Sequence, residues 1–176
     1  MCSKIKFTVI ASSIPVVWCL YNIFIGHYDI ALHCIFSALC IIVFAVVHKK
    51  YPILSNKVYC ASLIFLLLSL FAGKSLNLYL IIPHWDKLLH FISGFILVFI
   101  GRDIYIKLNG SYANYKLLRI FAFFFAVAAA GMWEIYEFSV DSLFNMYTQN
   151  GSLTDTMLDI ILGSVSAAAG IFMLRK

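Results

Sequence analysis

The chain has 176 residues, 63% of them hydrophobic and 12% charged, with a formal net charge of +5. A soluble domain carries about 25% charged residues, so the composition points to an integral membrane protein, with a soluble core the weaker reading, and the positive balance marks membrane topology rather than nucleic-acid binding. The length permits one domain, read as a single transmembrane domain over residues 1–176.

Apolar runs fall at 5–26, 30–48, 58–77, 88–106, 117–139 and 156–174. Each is long enough to cross about 30 Å of hydrocarbon as a helix. Lys4 and Lys6 precede the first run as in a signal peptide, but no small-x-small cleavage motif follows, so it reads as an uncleaved first span. The second and third runs are joined by "HKKYPILSNK" and the fourth and fifth by "KLNGSYANYK", whose Gly, Pro, Asn and Ser mark polar loops. Cys2, Cys19, Cys34, Cys40 and Cys60 lie mostly inside apolar runs and show no CxxC spacing, so they read as small hydrophobes without a disulfide framework. The expected fold is an all-α integral membrane protein: a six-transmembrane-helix bundle with N- and C-termini cytoplasmic.

Orientation follows from the basic residues. With a cytoplasmic N-terminus, Lys4, Lys6, Lys49, Lys50, Lys57, Arg102, Lys107, Lys116, Arg119, Arg175 and Lys176 fall inside, leaving Lys74 and Lys87 outside. Acidic residues do the opposite: Asp86, Glu134, Glu137, Asp141, Asp155 and Asp159 gather in the outer parts of the last three spans and the loops beside them. Helical rise converts spacing into depth. His90 lies about 25 Å from Lys107, Glu134 about 22 Å from Arg119, and Asp159 about 24 Å from Arg175. Three residues on three helices therefore reach a similar level.

Faces agree with depths. Asp86 and His90 are spaced i, i+4, as are Asp155 and Asp159, while Glu134, Glu137 and Asp141 run i, i+3, i+7, so each set occupies one side of its helix. A carboxylate facing lipid at this depth costs several kcal/mol, so these faces are expected to converge on a polar pocket open to the outside. Small residues let membrane helices approach closely: Gly94 and Gly101, then Ala126, Ala130 and Gly131, then Gly163, Ala167 and Gly170.

Simpler roles stand beside this one. Asp86 and Asp155 each begin a helix and can be capping or first-turn carboxylates. Lys87 can snorkel or pair with Asp86, and Tyr79, His84 and Trp85 fit an interfacial aromatic belt. No cap explains Glu134 and Glu137, and acids outnumber bases, so the cluster repels itself unless it is protonated or neutralised by a cation. One histidine with several carboxylates suits Mg²⁺, Mn²⁺ or Zn²⁺. Ser93 lies one turn from His90 without an evident triad.

"DKLLHFISGF", "WEIYEF" and "TDTMLDIILGSVSAAAG" resemble the VanZ-like membrane proteins, and more closely the YjdF-type bacterial inner-membrane proteins. The resemblance covers about residues 84–170 and is carried by Asp86, His90, Glu134, Glu137, Asp155, Asp159 and Gly163. Asp159 stands where the VanZ-like pattern usually has Asn, which favours the YjdF-like branch and argues against a glycopeptide-resistance role. The resemblance implies a bacterial cytoplasmic-membrane location and transfers no activity.

Residues and resemblance together give the expected function. An acidic, outward-facing pocket binds an envelope lipid or lipid-linked head group with a divalent cation; the same residues suit binding alone or hydrolysis. His90, Glu134, Glu137 and Asp159 are the candidate metal ligands, with His90 and Glu134 as candidate catalytic groups and Asp86, Lys87, Trp133 and Asp155 facing the head group. The expected partners are membrane lipids, with no nucleic acid. The alternatives are a small proton-coupled transporter using the carboxylates as relays, or a structural or regulatory membrane subunit.

Overall fold

A computed structural model describes residues 2–110, 114–145, 148 and 152–174. Arg175 and Lys176 of the topology argument lie outside the described residues. Among the described residues, six helices are long and apolar enough to cross a membrane. The chain divides into two compact units, Met1–Trp85 and Asp86–Lys176.

In the first unit, α1 (Cys2–Phe24) and α2 (Tyr28–Lys50) form a hairpin. Its turn needs Gly26, which sits at φ 82 in the left-handed region that glycine enters without a Cβ clash. The His27 N–H then donates to the Asn22 carbonyl at 2.8 Å, satisfying one orphan helix-end acceptor. The third span starts as α3 (Asn56–Leu66) and continues as a π-helix over Leu67–Ser75, closed by Leu76 N–H donating to the Phe71 carbonyl. Asn77, left-handed at φ 58, breaks it before the single-turn α4 (Leu78–Ile81). Ala11, Ile41, Tyr59 and Leu63 form one buried core and Cys19, Ala31, Cys34 and Phe71 another, so these cysteines pack as small apolar residues.

The second unit holds α5 (Trp85–Asn109), α6 (Tyr115–Phe144) and α7 (Leu153–Met173). Two caps set where helices begin. The Asn114 side chain accepts from the Lys116 and Leu117 N–H groups, and Ser152 accepts from Asp155 N–H, each satisfying donors that the first turn leaves orphaned. Both later spans exceed their apolar runs: α6 continues to Phe144 and α7 begins at Leu153. Val98, Tyr105, Leu118, Ala122, Ala126, Ala167 and Leu174 form the core.

Gly94 and Gly163 act as the spacing suggested, whereas Gly131 faces open space, with nothing within 4 Å of an added Cβ. A Cβ on Gly94 would lie 1.9 Å from Ser166 Oγ and 2.2 Å from the Gly163 carbonyl oxygen, so α5 and α7 touch backbone to backbone there. On Gly163, a Cβ would meet the Ala130 methyl at 3.4 Å and the His90 carbonyl at 3.6 Å, bringing α6 and α5 to the same level of α7. One helical turn separates His90 from Gly94 and Asp159 from Gly163. Close helix contact is thus what brings His90, Glu134 and Asp159 within reach of one another.

Candidate functional site

The site grows from the first turns of α5 and α7 and the last third of α6. His84 is left-handed at φ 61, and α5 starts directly after it, with Asp86 and Lys87 in its first turn and His90 one turn later. On α7, Asp155 stands in the first turn and Asp159 one turn on. Glu134 comes from α6, four residues after the buried Ala130.

Lys87 lies at the centre of the charges. Its Nζ donates to Asp155 Oδ1 at 2.5 Å and to Asp159 Oδ2 at 2.7 Å, and stands 3.8 Å from Asp86 Oδ2. The sequence suggested a snorkelling lysine or a pair with Asp86. The structure keeps the Asp86 pair and adds the two aspartates of α7 as closer partners, which the flexible four-carbon stem reaches because α5 and α7 approach closely.

His90 is the second centre. Its Nε2 lies 3.7 Å from Asp86 Oδ1 and 3.7 Å from Glu134 Oε1. His90, Glu134 and Asp159 are all buried, at 7%, 3% and 2% exposure. Their convergence matches the depth argument. Asp86, His90 and Asp159 each offer a ligand atom within 4.8 Å of the other two. A filled cation site with bonds near 2.0–2.2 Å needs about 3–4 Å between ligand atoms, so a small side-chain adjustment suffices. Asp159 Oδ1 is buried and, among the described residues, accepts no hydrogen bond. A carboxylate oxygen in that condition is costly unless something cationic is near it.

The charges do not balance. Asp86, Glu134, Asp155 and Asp159 face Lys87 and His90, so even a protonated histidine leaves two negative charges in excess. A second cation, or protons, would close the difference.

The remaining candidates make local bonds, although Glu137 still lies within electrostatic reach of Glu134, Asp86 and Asp159. Glu137 Oε1 accepts from the Trp133 indole N–H at 2.9 Å, an i, i+4 pair along α6, and Trp133 is 47% exposed. Asp141 Oδ1 accepts from the Thr148 N–H at 2.7 Å and its hydroxyl at 2.6 Å, closing the turn after α6. The Ser93 hydroxyl donates to the His90 carbonyl at 2.7 Å, which occupies it within its own helix. Lys74 sits 5.0 Å from the Tyr79 ring centroid in the first unit. Asp155 proves to serve as both a first-turn carboxylate and a partner of Lys87. The signal for Lys87 was available: a cluster short of positive charge contained one lysine beside its histidine face.

A family described as "Predicted membrane protein (DUF2238)" matches residues 7–176. The chain belongs to this family. DUF2238 membership and the six candidate spans agree that this is a multi-pass membrane protein. Among curated proteins, the chain is 35% identical over 89 residues to an uncharacterized protein of Thermotoga maritima, a stretch covering 51% of this chain and 46% of that protein. The chain therefore spans less than half the length of that relative. No solved structure matches it.

Proposed function

We propose that this DUF2238 protein binds a divalent cation through Asp86, His90 and Asp159, with Glu134 beside the histidine, and through the cation an envelope-lipid or lipid-linked head group. The observation that carries the reading is the convergence of those three ligand groups from two helices around a buried, unsatisfied Asp159 oxygen. One nitrogen and several carboxylate oxygens suit Mg²⁺, Mn²⁺ or Zn²⁺. His90 and Glu134 stand 3.7 Å apart, placed to move a proton if the bound head group reacts.

The level of the site supports a head group. Trp133 and Tyr136, with ring centroids 5.3 Å apart, are exposed on α6 beside Glu134, and such aromatic side chains favour the head-group layer. Lys107, Lys116 and Arg119 lie at the opposite ends of α5 and α6, which by the positive-inside tendency supports reading the site as facing the outer side of a bacterial inner membrane. The likeness to YjdF-type and VanZ-like sequences belongs to this same reading. A proton-transport route fits less well, because the buried face of α6 below Glu134 is Ala130, Ala126, Ala122 and Leu118.

Metal content of protein purified without chelators, followed by Mn²⁺ titration, tests the proposal. Near-stoichiometric binding that weakens at least tenfold in Asp159→Asn and His90→Ala is expected. No bound metal, with stability unchanged by chelation, would refute it.

A further inference from the structure

We propose that Lys87 is a tethered competitor for the cation site, so that the chain alternates between an ammonium-filled and a metal-filled state. The inference rests on the cation reading above and adds its regulation. Lys87 Nζ lies 2.7 Å from Asp159 Oδ2 and 3.8 Å from Asp86 Oδ2, so it already holds both carboxylates of the candidate metal triad. It is anchored outside the triad as well, at 2.5 Å to Asp155 Oδ1. A dication seated by Asp86, His90 and Asp159 would share two carboxylates with this ammonium. Like charges so placed repel strongly inside a low-dielectric bundle, and the shared oxygens cannot serve both at full strength.

The physical consequence is exchange. When metal arrives, Lys87 gives up Asp159 and keeps Asp155, which sits one turn nearer the start of α7 and closer to water. When metal leaves, Lys87 returns and neutralises part of the acidic cluster, which keeps the empty bundle from opening under its own repulsion. An arginine would not do this job as well. Lysine is a compact point charge on a flexible stem, whereas a guanidinium would lock two carboxylates in a planar fork.

The test is Mn²⁺ titration by electron paramagnetic resonance on wild type and Lys87→Met, joined to acetylation of wild-type Lys87 read by mass spectrometry against Lys107 as internal standard. Lys87→Met is expected to bind Mn²⁺ at least tenfold more tightly, and Mn²⁺ is expected to raise the acetylation of Lys87. Equal or weaker binding by Lys87→Met, or acetylation that Mn²⁺ leaves unchanged, would overturn the competition while leaving the cation site standing. Should Lys87→Met fail to fold, the wild-type acetylation decides alone. If neither protein binds Mn²⁺, the cation reading falls and the competition with it.

Discussion

Gly94→Ala is the sharpest probe of how the helices place the site. The added methyl would come 2.2 Å from the Gly163 carbonyl oxygen and 1.9 Å from Ser166 Oγ. The hydroxyl can rotate away, though it then abandons its 3.0 Å hydrogen bond to the Gly163 carbonyl. The carbonyl is backbone inside α7 and cannot. Ordinary contact needs roughly 3.4 Å or more, so α5 and α7 must separate by about 1 Å at this level. Overpacking of this kind costs about 1–3 kcal/mol, and the upper part of that range applies where backbone must yield. Gly131→Ala is the control: a Cβ there meets nothing within 4 Å, and the helix-propensity difference makes it neutral or stabilising by up to about 1 kcal/mol. Denaturant titration of both variants in micelles, followed by tryptophan fluorescence, reads the difference. A loss of about 2–3 kcal/mol in Gly94→Ala with no loss in Gly131→Ala is expected. Equal stability of Gly94→Ala and wild type would refute the backbone contact, and with it the explanation of why His90 and Asp159 meet.

Three further outcomes are expected from local contacts. Asn114→Ala removes the cap that accepts from Lys116 and Leu117, and should cost about 1 kcal/mol in the same titration. Tyr59→Phe removes a 2.7 Å hydrogen bond between Tyr59 Oη and Thr8 Oγ1 in the first unit; a loss of about 1 kcal/mol is expected, and an unchanged midpoint would show the bond contributes nothing. Trp133→Phe removes a donor from the exposed Glu137 pair and should change stability by less than about 1 kcal/mol, while lipid recovered with the purified protein falls if the ring lies at the head-group level.

Much of this arrangement could be read before any coordinates. Six spans followed from unbroken apolar runs, since a membrane leaves a chain few ways to satisfy its backbone. Depth counted from Lys107 and Arg119 put His90 and Glu134 at one level because a helix rises evenly, and they stand 3.7 Å apart. Other features depended on tertiary contact. Lys87 has several rotatable bonds, and only the approach of α7 adds Asp155 and Asp159, on another helix, to the pair with Asp86, one residue away. Asp141 keeps its register on α6, and only the tertiary fold shows that its carboxylate is taken up by the Thr148 N–H and hydroxyl. Glu137 was more foreseeable, because Trp133 precedes it at the i, i+4 spacing that lets side chains meet. The π-helical stretch from Leu67 to Ser75 carries no residue signature that periodicity would reveal.

In the proposed site, His90 and Asp159 ligate the same ion. Pulsed electron paramagnetic resonance of Mn²⁺ bound to protein labelled with ¹⁵N-histidine tests it most directly. Coupling to a single histidine nitrogen is expected, abolished in His90→Ala, with Mn²⁺ binding at least tenfold weaker in Asp159→Asn. Bound Mn²⁺ without nitrogen coupling, or coupling that survives in His90→Ala, would contradict it.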